Sequence, residues 1–310
     1  MSRKEQKMKQ RKKGRWWKIT LLVIALLIVG GGAYAYSIFH NVKSTVDNKL
    51  HNPVSSIDTE LTKKKIEKKK PLNILLLGVD EREDDRGRSD TMIVLTLDPN
   101  NDRMQMVSIP RDTRTKIIGK GFSDKINHSY AFGGSEMSVK TVESFLDIEL
   151  DYYVRMNMEG LAQLVSAVGG VTVNNDLAFT NGSYEFPKGE LHLGGQEALA
   201  FVRMRKQDPQ GDAGRNERQR QVIEGIIEKG ASFGGVNKIG DIMDVLGNNV
   251  STNMNFAAMR MLATDYRSAR KNTETYQMKG NGTRIDGIYY LQVPDQEVQK
   301  VHQMIKEYNS

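Results

Sequence analysis

Apolar positions along this 310-residue chain come in three patterns: one long unbroken run, several short runs, and stretches spaced three or four residues apart. The long run is "ITLLVIALLIVGGGAYAYSIF", 21 residues from Ile19 to Phe39 without a charge. At about 1.5 Å per residue it crosses a hydrocarbon core of roughly 30 Å. After residue 70 the short runs begin. "NILLLGV" is continuous and follows a proline, which predicts a buried strand over Ile74–Val79. "TMIVLTLDP" and "RMQMVSIP" predict two more strands, stopped at Pro99 and Pro110. Residues 135–150 change to helical spacing, with Met137, Val139, Val142, Phe145, Leu146 and Ile148 apolar. Strand "YYVRMNM", helix "EGLAQLVSAV" and strand "GGVTVN" follow, then a helix from "GQEALAF". Further helices are predicted over 216–230, 236–247 and 255–268, strands at "TETYQM" and "GIYYLQV", and a last helix over Asp295–Tyr308. This interleaving predicts an α/β fold: a single domain over 71–310, with a mixed central β-sheet flanked by helices on both faces, preceded by one transmembrane helix. Residues 40–70 are polar, end in "LTKKKIEKKKP", and read as a solvated extracellular linker outside the core.

Charge refines this picture. The formal net charge is +7, but residues 1–18 alone hold nine Lys/Arg against one acid, Glu5. From Pro71 onward there are 28 basic and 33 acidic residues, so no broad basic footprint for nucleic acid exists and no nucleic-acid partner is expected. The basic residues 1–18 before the apolar run predict a cytoplasmic tail and a domain on the outer side of the cell membrane, a single-pass arrangement. There the domain has no access to cytoplasmic ATP. The chain has no cysteine, which excludes disulfides, thiolate zinc sites and thiol nucleophiles. No G-x-S-x-G, Walker loop or H-E-x-x-H is present.

The candidate chemistry lies at strand ends. In "GVDEREDDRGRSDTM", Asp80 leaves one strand and Asp90 enters the next; a hairpin-like or crossover return would bring the carboxylates close. Two hard oxygen ligands suit Mg²⁺ completed by water and phosphate oxygens, with Mn²⁺ equally acceptable, and Arg88 would face the same ligand. A solvated acidic loop is the other reading, and Asp84 and Asp85 fit it better. Arg111, after Pro110, is placed to fork onto a phosphate or to sit on the surface beside Asp112. The segment "FVRMRKQDPQGDAGRNERQRQ" holds five arginines. Arg203 and Arg205 flank Met204, so an extended backbone would point both to one face. Arg215, Arg218 and Gln219 share one face at the start of the next helix, a setting for an anion such as pyrophosphate. The apolar helices around 135–170 and 216–265 would then enclose a prenyl chain as a second use, or serve only as ordinary hydrophobic core. His128, in "KINHSYAFGG", reads as structural or as a supporting group.

Eight blocks in register resemble the LytR-CpsA-Psr family of cell-wall glycopolymer transferases: "NILLLGVDER", "GRSDTMIVLTLDP", "MVSIPRDT", "KINHSYAFGG", "LDYYVRMNMEG", "VGGVTVN", "LGGQEALAFVRMR" and "GDAGRNERQRQ". Length and the basic tail are similar to the wall teichoic acid transferases of Bacillus. The resemblance implies a Mg²⁺-dependent phosphotransferase that moves a glycopolymer from a polyprenyl-pyrophosphate carrier to a peptidoglycan hydroxyl. It implies Asp80 and Asp90 as metal ligands, and Arg88, Arg111, Arg203, Arg205, Arg215 and Arg218, with Gln219, as the pyrophosphate clamp. Asp90, Arg88 and Arg111 would act in catalysis. Arg220 stands where the family commonly has a second glutamine, and its role is open. A non-catalytic wall-polymer binding module and a membrane-bound transcription attenuator are the rival readings.

Overall fold

The structure, a computed structural model, describes residues 36–37, 40–41, 43–81, 87–231 and 249–309. The basic tail, the apolar run apart from Tyr36 and Ser37, the acidic loop carrying Asp84 and Asp85, and the helix expected over 236–247 lie outside them. No helix among the described residues is long and apolar enough to cross a membrane. The described residues from Thr45 onward form one compact unit.

The described elements run in chain order as follows. After a π-helical turn, Val46–Leu50, come α1 (Thr59–Glu67), β1 (Leu72–Val79), β2 (Ser89–Asp98) and β3 (Arg103–Ser108). Two short strands, β4 (Arg114–Lys116) and β5 (Ser123–Lys125), lead to α2 (His128–Leu146), β6 (Tyr152–Asn157) and α3 (Met158–Ala167). Then come β7 (Val171–Asn175), β8 (Phe179–Asn181), β9 (Tyr184–Phe186) and β10 (Gly189–Leu193), and after them α4 (Gly195–Arg203) and α5 (Asp212–Ala231). The chain closes with β11 (Val250–Thr252), α6 (Phe256–Asp265), a 3₁₀ turn (Arg267–Lys271), β12 (Asn272–Gln277), β13 (Asn281–Ile285), β14 (Ile288–Gln292) and α7 (Asp295–Tyr308).

Six strands build the central sheet in the order β11–β6–β1–β2–β3–β12. β1, β2 and β3 are antiparallel neighbours, whereas β6 runs parallel to β1 and β12 parallel to β3, so the sheet is mixed as expected. β1, β2 and β3 are buried at nearly every position because both faces are covered. Leu75, Leu77, Val79 and Val94 pack beneath α2 and α7 through Val139, Val142, Leu146, Val301 and Ile305. Ile74, Ile93, Leu95 and Met106 face the other way, toward Ala258 and Tyr266, with Ile223 and Ile227 of α5 alongside. A third cluster lies beside this sheet, where α3, α4 and the β7/β10 and β8/β9 ribbons enclose stacked Phe179, Phe186 and Phe201. Asn157 ends β6 and caps α3 by accepting from Gly160 N at 2.8 Å, which turns strand into helix without a loop.

Residues 45–70 do not behave as a solvated linker. Val46, Leu50, Val54, Ile57 and Ile66 are buried, and Val54 and Ile57 belong to the core under α2 and α7. α1 is capped by Asp58, which accepts from Glu60 N and Leu61 N. Lys65 Nζ reaches the buried Asp151 at 2.9 Å, and Tyr153 donates its hydroxyl to Asn52 O at 2.6 Å. The physical reason is one of density: a few well-spaced apolar residues suffice to seat a strap on an existing core, and the lysines between them keep its outer face wet.

Candidate active site

β1 and β2 are antiparallel neighbours, so the chain returns directly from Asp80 to Asp90, the hairpin-like arrangement of the two considered. Asp80 N and Asp90 N donate to the same carbonyl, Arg88 O, at 3.2 and 3.1 Å. Both carboxylate-bearing residues are thereby tied to one peptide at the sheet end. Gly87 closes this return at φ +70°, and a Cβ there would stand 2.1 Å from Asp80 O. Glu81, the next residue after Asp80, pairs with Arg155 at 2.6 Å, and Arg155 Nε donates to Tyr130 OH at 3.0 Å. The Gly87→Ala variant is expected to stay folded yet lose about 100-fold in turnover, because displacement by about an ångström at a reacting site costs that much. Steady-state rates beside a thermal melt check it.

Arg111 leaves the end of β3 and turns onto Asp90, with Nη1 at 2.8 Å from Oδ2. Asn127, preceding α2, donates its side-chain amide to the other oxygen, Asp90 Oδ1, at 3.3 Å. Asp212, opening α5, lies 2.6 Å from Arg215 Nη2 and 3.7 Å from Arg111 Nε. Arg215 Nη2 also reaches Asp90 O at 3.4 Å. Two guanidinium groups and two carboxylates therefore meet where β2, β3 and α5 converge. Burial pulls both arginines down from their ordinary values. At Arg111 the carboxylates of Asp90, Asp212 and Asp112 outweigh it and raise the group. At Arg215 burial wins, with Asp212 and Asp90 opposing it and Arg111 and Arg205 adding repulsion. The buried Nε atoms of Arg111 and Arg215 have no hydrogen-bond partner. N–H donors left without a hydrogen bond in this mixed cluster of arginines and aspartates are groups that an incoming anion could satisfy.

The other expected clamp residues separate. Arg203 ends α4 and Arg205 follows it; both are exposed while Met204 between them is buried. The extended alternation expected there begins only at Met204, because α4 continues through Arg203. Arg218 does not join Arg215: its Nε donates to Phe201 O at 3.1 Å, Nη2 to Met204 O at 2.6 Å and Nη1 to Asp208 at 2.6 Å. It binds the open carbonyls at the end of α4, a structural fastening between α4 and α5. Arg220 now has a place. Buried, it donates to Ser108 Oγ at 2.6 Å and Gln277 Oε1 at 3.2 Å and pairs with Glu217, tying α5 to β3 and β12.

Gln219 sits deeper, in the wall of an apolar cavity of about 230 Å³. Leu76, Gly78 and Thr91 of the sheet form its floor, Met158, Leu161 and Leu164 of α3 one wall, and Ile223, Ile226 and Ile227 of α5 another. The buried Gln219 Oε1 is without a hydrogen-bond partner. Of the helices expected around a prenyl chain, α3 and α5 border this cavity. α2 packs on the opposite face of the sheet, and α6 does not border it.

Asp80 and Asp90 offer hard oxygens joined by one short return, a donor set that fits two ligands of Mg²⁺ or Mn²⁺. Among the described residues no group of three or more His, Asp or Glu forms a fuller metal site. Two further residues complete the cluster without having been assigned a role from the sequence: Asn127, which donates to Asp90, and Asp212, which pairs with Arg215 and Arg111. Their signals are local: an N-cap type residue ahead of a helix, and an acid three residues before Arg215.

Residues 33–307 match the LytR_cpsA_psr family. The polyisoprenyl-teichoic acid–peptidoglycan teichoic acid transferase TagU of Bacillus subtilis (strain 168) is 48% identical over 299 residues, 96% of this chain and 97% of that protein. The crystal structure of B. subtilis TagU superposes with a TM-score of 0.66 at 47% identity, covering 78% of this chain and 98% of that one. A structure of TagT bound to LIIa-WTA superposes at 0.67 with 32% identity, covering 78% and 91%.

Proposed function

From its membership of the LytR_cpsA_psr family, we propose that this chain transfers an anionic glycopolymer, wall teichoic acid, from a polyprenyl-pyrophosphate carrier to peptidoglycan through a phosphodiester bond. The observation that carries this reading is the course of α5. Its first turns place Asp212 and Arg215 beside Arg111 and Asp90, and its next turns line the apolar cavity with Gln219, Ile223 and Ile227. One helix thus joins an anion-binding end to an apolar chamber, the two halves of a lipid pyrophosphate. The identity to TagU over nearly the whole chain supports the same substrates.

Arg111 and Arg215 hold the pyrophosphate, with the exposed Arg88, Arg203 and Arg205 closing around it. The acceptor hydroxyl attacks the polymer-bearing phosphorus in line. The bond to the bridging oxygen breaks, and its electron pair leaves on polyprenyl phosphate, where the arginines stabilise the charge. Asp90 takes the hydroxyl proton. Asp80 and Asp90 would hold Mg²⁺, or Mn²⁺, which when bound draws charge from the phosphate oxygens. The apolar run Ile19–Phe39 anchors the chain with its N-terminus in the cytoplasm and its catalytic domain outside, beside an insoluble donor.

Ile223→Trp tests the lipid half. Filling the chamber should raise the donor KM about tenfold, the equivalent of roughly two methylenes left in water, with kcat at saturation close to wild type. Donors with truncated prenyl chains should lose that discrimination between variant and wild type. An unchanged KM with the long-chain donor would remove the chamber from donor binding.

A further inference from the structure

Beside the arginine end lies a surface of exposed aromatic rings. Phe122 and Phe132 are 47% and 38% exposed, set edge to face with ring centres 5.9 Å apart. Phe132 also meets His128 edge on at 6.0 Å, and His128 Nδ1 pairs with Asp124 Oδ2 at 2.7 Å. Asp124 accepts in turn from Tyr290 OH at 3.3 Å, and Lys125 lies 6.0 Å over the ring of Tyr289, itself 43% exposed. Exposed rings and directed polar groups thus alternate along one continuous strip.

The strip is joined to the reacting centre at two points. Asn127, which touches Asp90, directly precedes His128. Lys125 holds Asp112, the neighbour of Arg111, at 2.7 Å. Contiguous exposed apolar surface marks an interaction site. Here the paired rings of Phe122 and Phe132 are followed along the strip by an imidazole, a carboxylate and an ammonium group before Tyr289. A bilayer-inserting face would exclude such charges, and they suit an occupant with flat apolar faces and hydroxyls at its edges. Pyranose rings have that form: their C–H faces stack on aromatic rings while their hydroxyls and acetamides take hydrogen bonds.

We propose that the strip from Phe122 and Phe132 through the His128–Asp124 pair to Tyr289 is the docking shelf for the acceptor glycan, a strand of N-acetylated amino sugars. This rests on the transferase reading above. The arginine end and the chamber are taken by the donor, so the second substrate reaches the phosphorus from the Asn127 side, along this shelf. With Asp124 on Nδ1, His128 Nε2 is the nitrogen left for a sugar hydroxyl.

The test compares the full chain in nanodiscs with the double variant Phe122→Ala/Phe132→Ala. Both rings are exposed, so the fold does not depend on them. The probe is a soluble, uncross-linked peptidoglycan oligomer, titrated by calorimetry without donor. Binding to wild type, weakened about tenfold in the double variant and restored by Phe132→Tyr on the Phe122→Ala background, is expected. Donor affinity should be equal in all three. Equal glycan affinity in wild type and variant, or no glycan binding by wild type, overturns the shelf. So does a variant whose only loss is association with protein-free vesicles or with a second copy of the chain. Turnover on the same samples separates the two readings: ring-dependent glycan binding without any transferred product upholds the shelf and defeats the transferase.

Discussion

Replacing Arg111 by alanine lowers kcat/KM for polymer transfer by about 100- to 1,000-fold, the usual loss when one preorganised donor to a developing anion is removed. The side chain is held in place before any ligand arrives. Asp90 pins its Nη1 at 2.8 Å, and Asp112 and Asp212 flank its Nε. The guanidinium is charged at every pH where the domain is folded, and the carboxylates of Asp90, Asp212 and Asp112 favour that form further. Arg111→Lys keeps one charge but not the planar fork that spans two phosphate oxygens, and should recover only a small part of the rate. Stability should change little, since Asp90 is partly exposed and keeps Asn127, Asp112 keeps Lys125 and Asp212 keeps Arg215. Steady-state kinetics with urea unfolding of the same samples checks both halves. A variant with normal turnover would remove Arg111 from the reaction.

Arg218→Ala acts on the fold instead. The substitution leaves Asp208, only 6% exposed at its side chain, as an unpaired buried carboxylate, and strips the carbonyls of Phe201 and Met204 of their donor. Breaking a buried pair from one side costs about 3–5 kcal/mol. The midpoint of urea unfolding should fall accordingly, and adding Asp208→Asn should recover part of it by discharging the orphaned carboxylate. Residual activity should follow the folded fraction, with donor KM nearly unchanged. A stable Arg218→Ala domain with a raised donor KM would instead return this arginine to the clamp.

Arg215 and Arg218 lie three residues apart, and their fates mark how far a sequence can be read. Strands and helices of the central layer were legible because both-face burial gives continuous apolar runs and one-face burial gives helical spacing, as at Ile74–Val79 and Asp295–Tyr308. The return from Asp80 to Asp90 was legible as a short polar loop between two such runs. Partition of the arginines was not. Arg215, Arg218 and Gln219 follow helical spacing, but partners come from elements far along the chain: Asp90 for one, the end of α4 for another, the chamber for the third. Arg220 was unreadable for the same reason, its partners being Ser108 and Gln277. The strap over residues 45–70 was missed because lysines dominate its composition while five apolar side chains decide its packing.

The measurement to make is the identity of the covalent product. The full chain in a bilayer, given a polyprenyl-pyrophosphate-linked saccharide, a divalent cation and a peptidoglycan oligomer, should yield a saccharide joined to the glycan through one phosphodiester, identified by mass spectrometry. Polyprenyl phosphate should be released in equal amount, and Arg88→Ala should form neither. Saccharide phosphate released into water at the same rate with or without glycan would make the chain a hydrolase. Donor and glycan both bound with no product at all would make it a wall-polymer binding module.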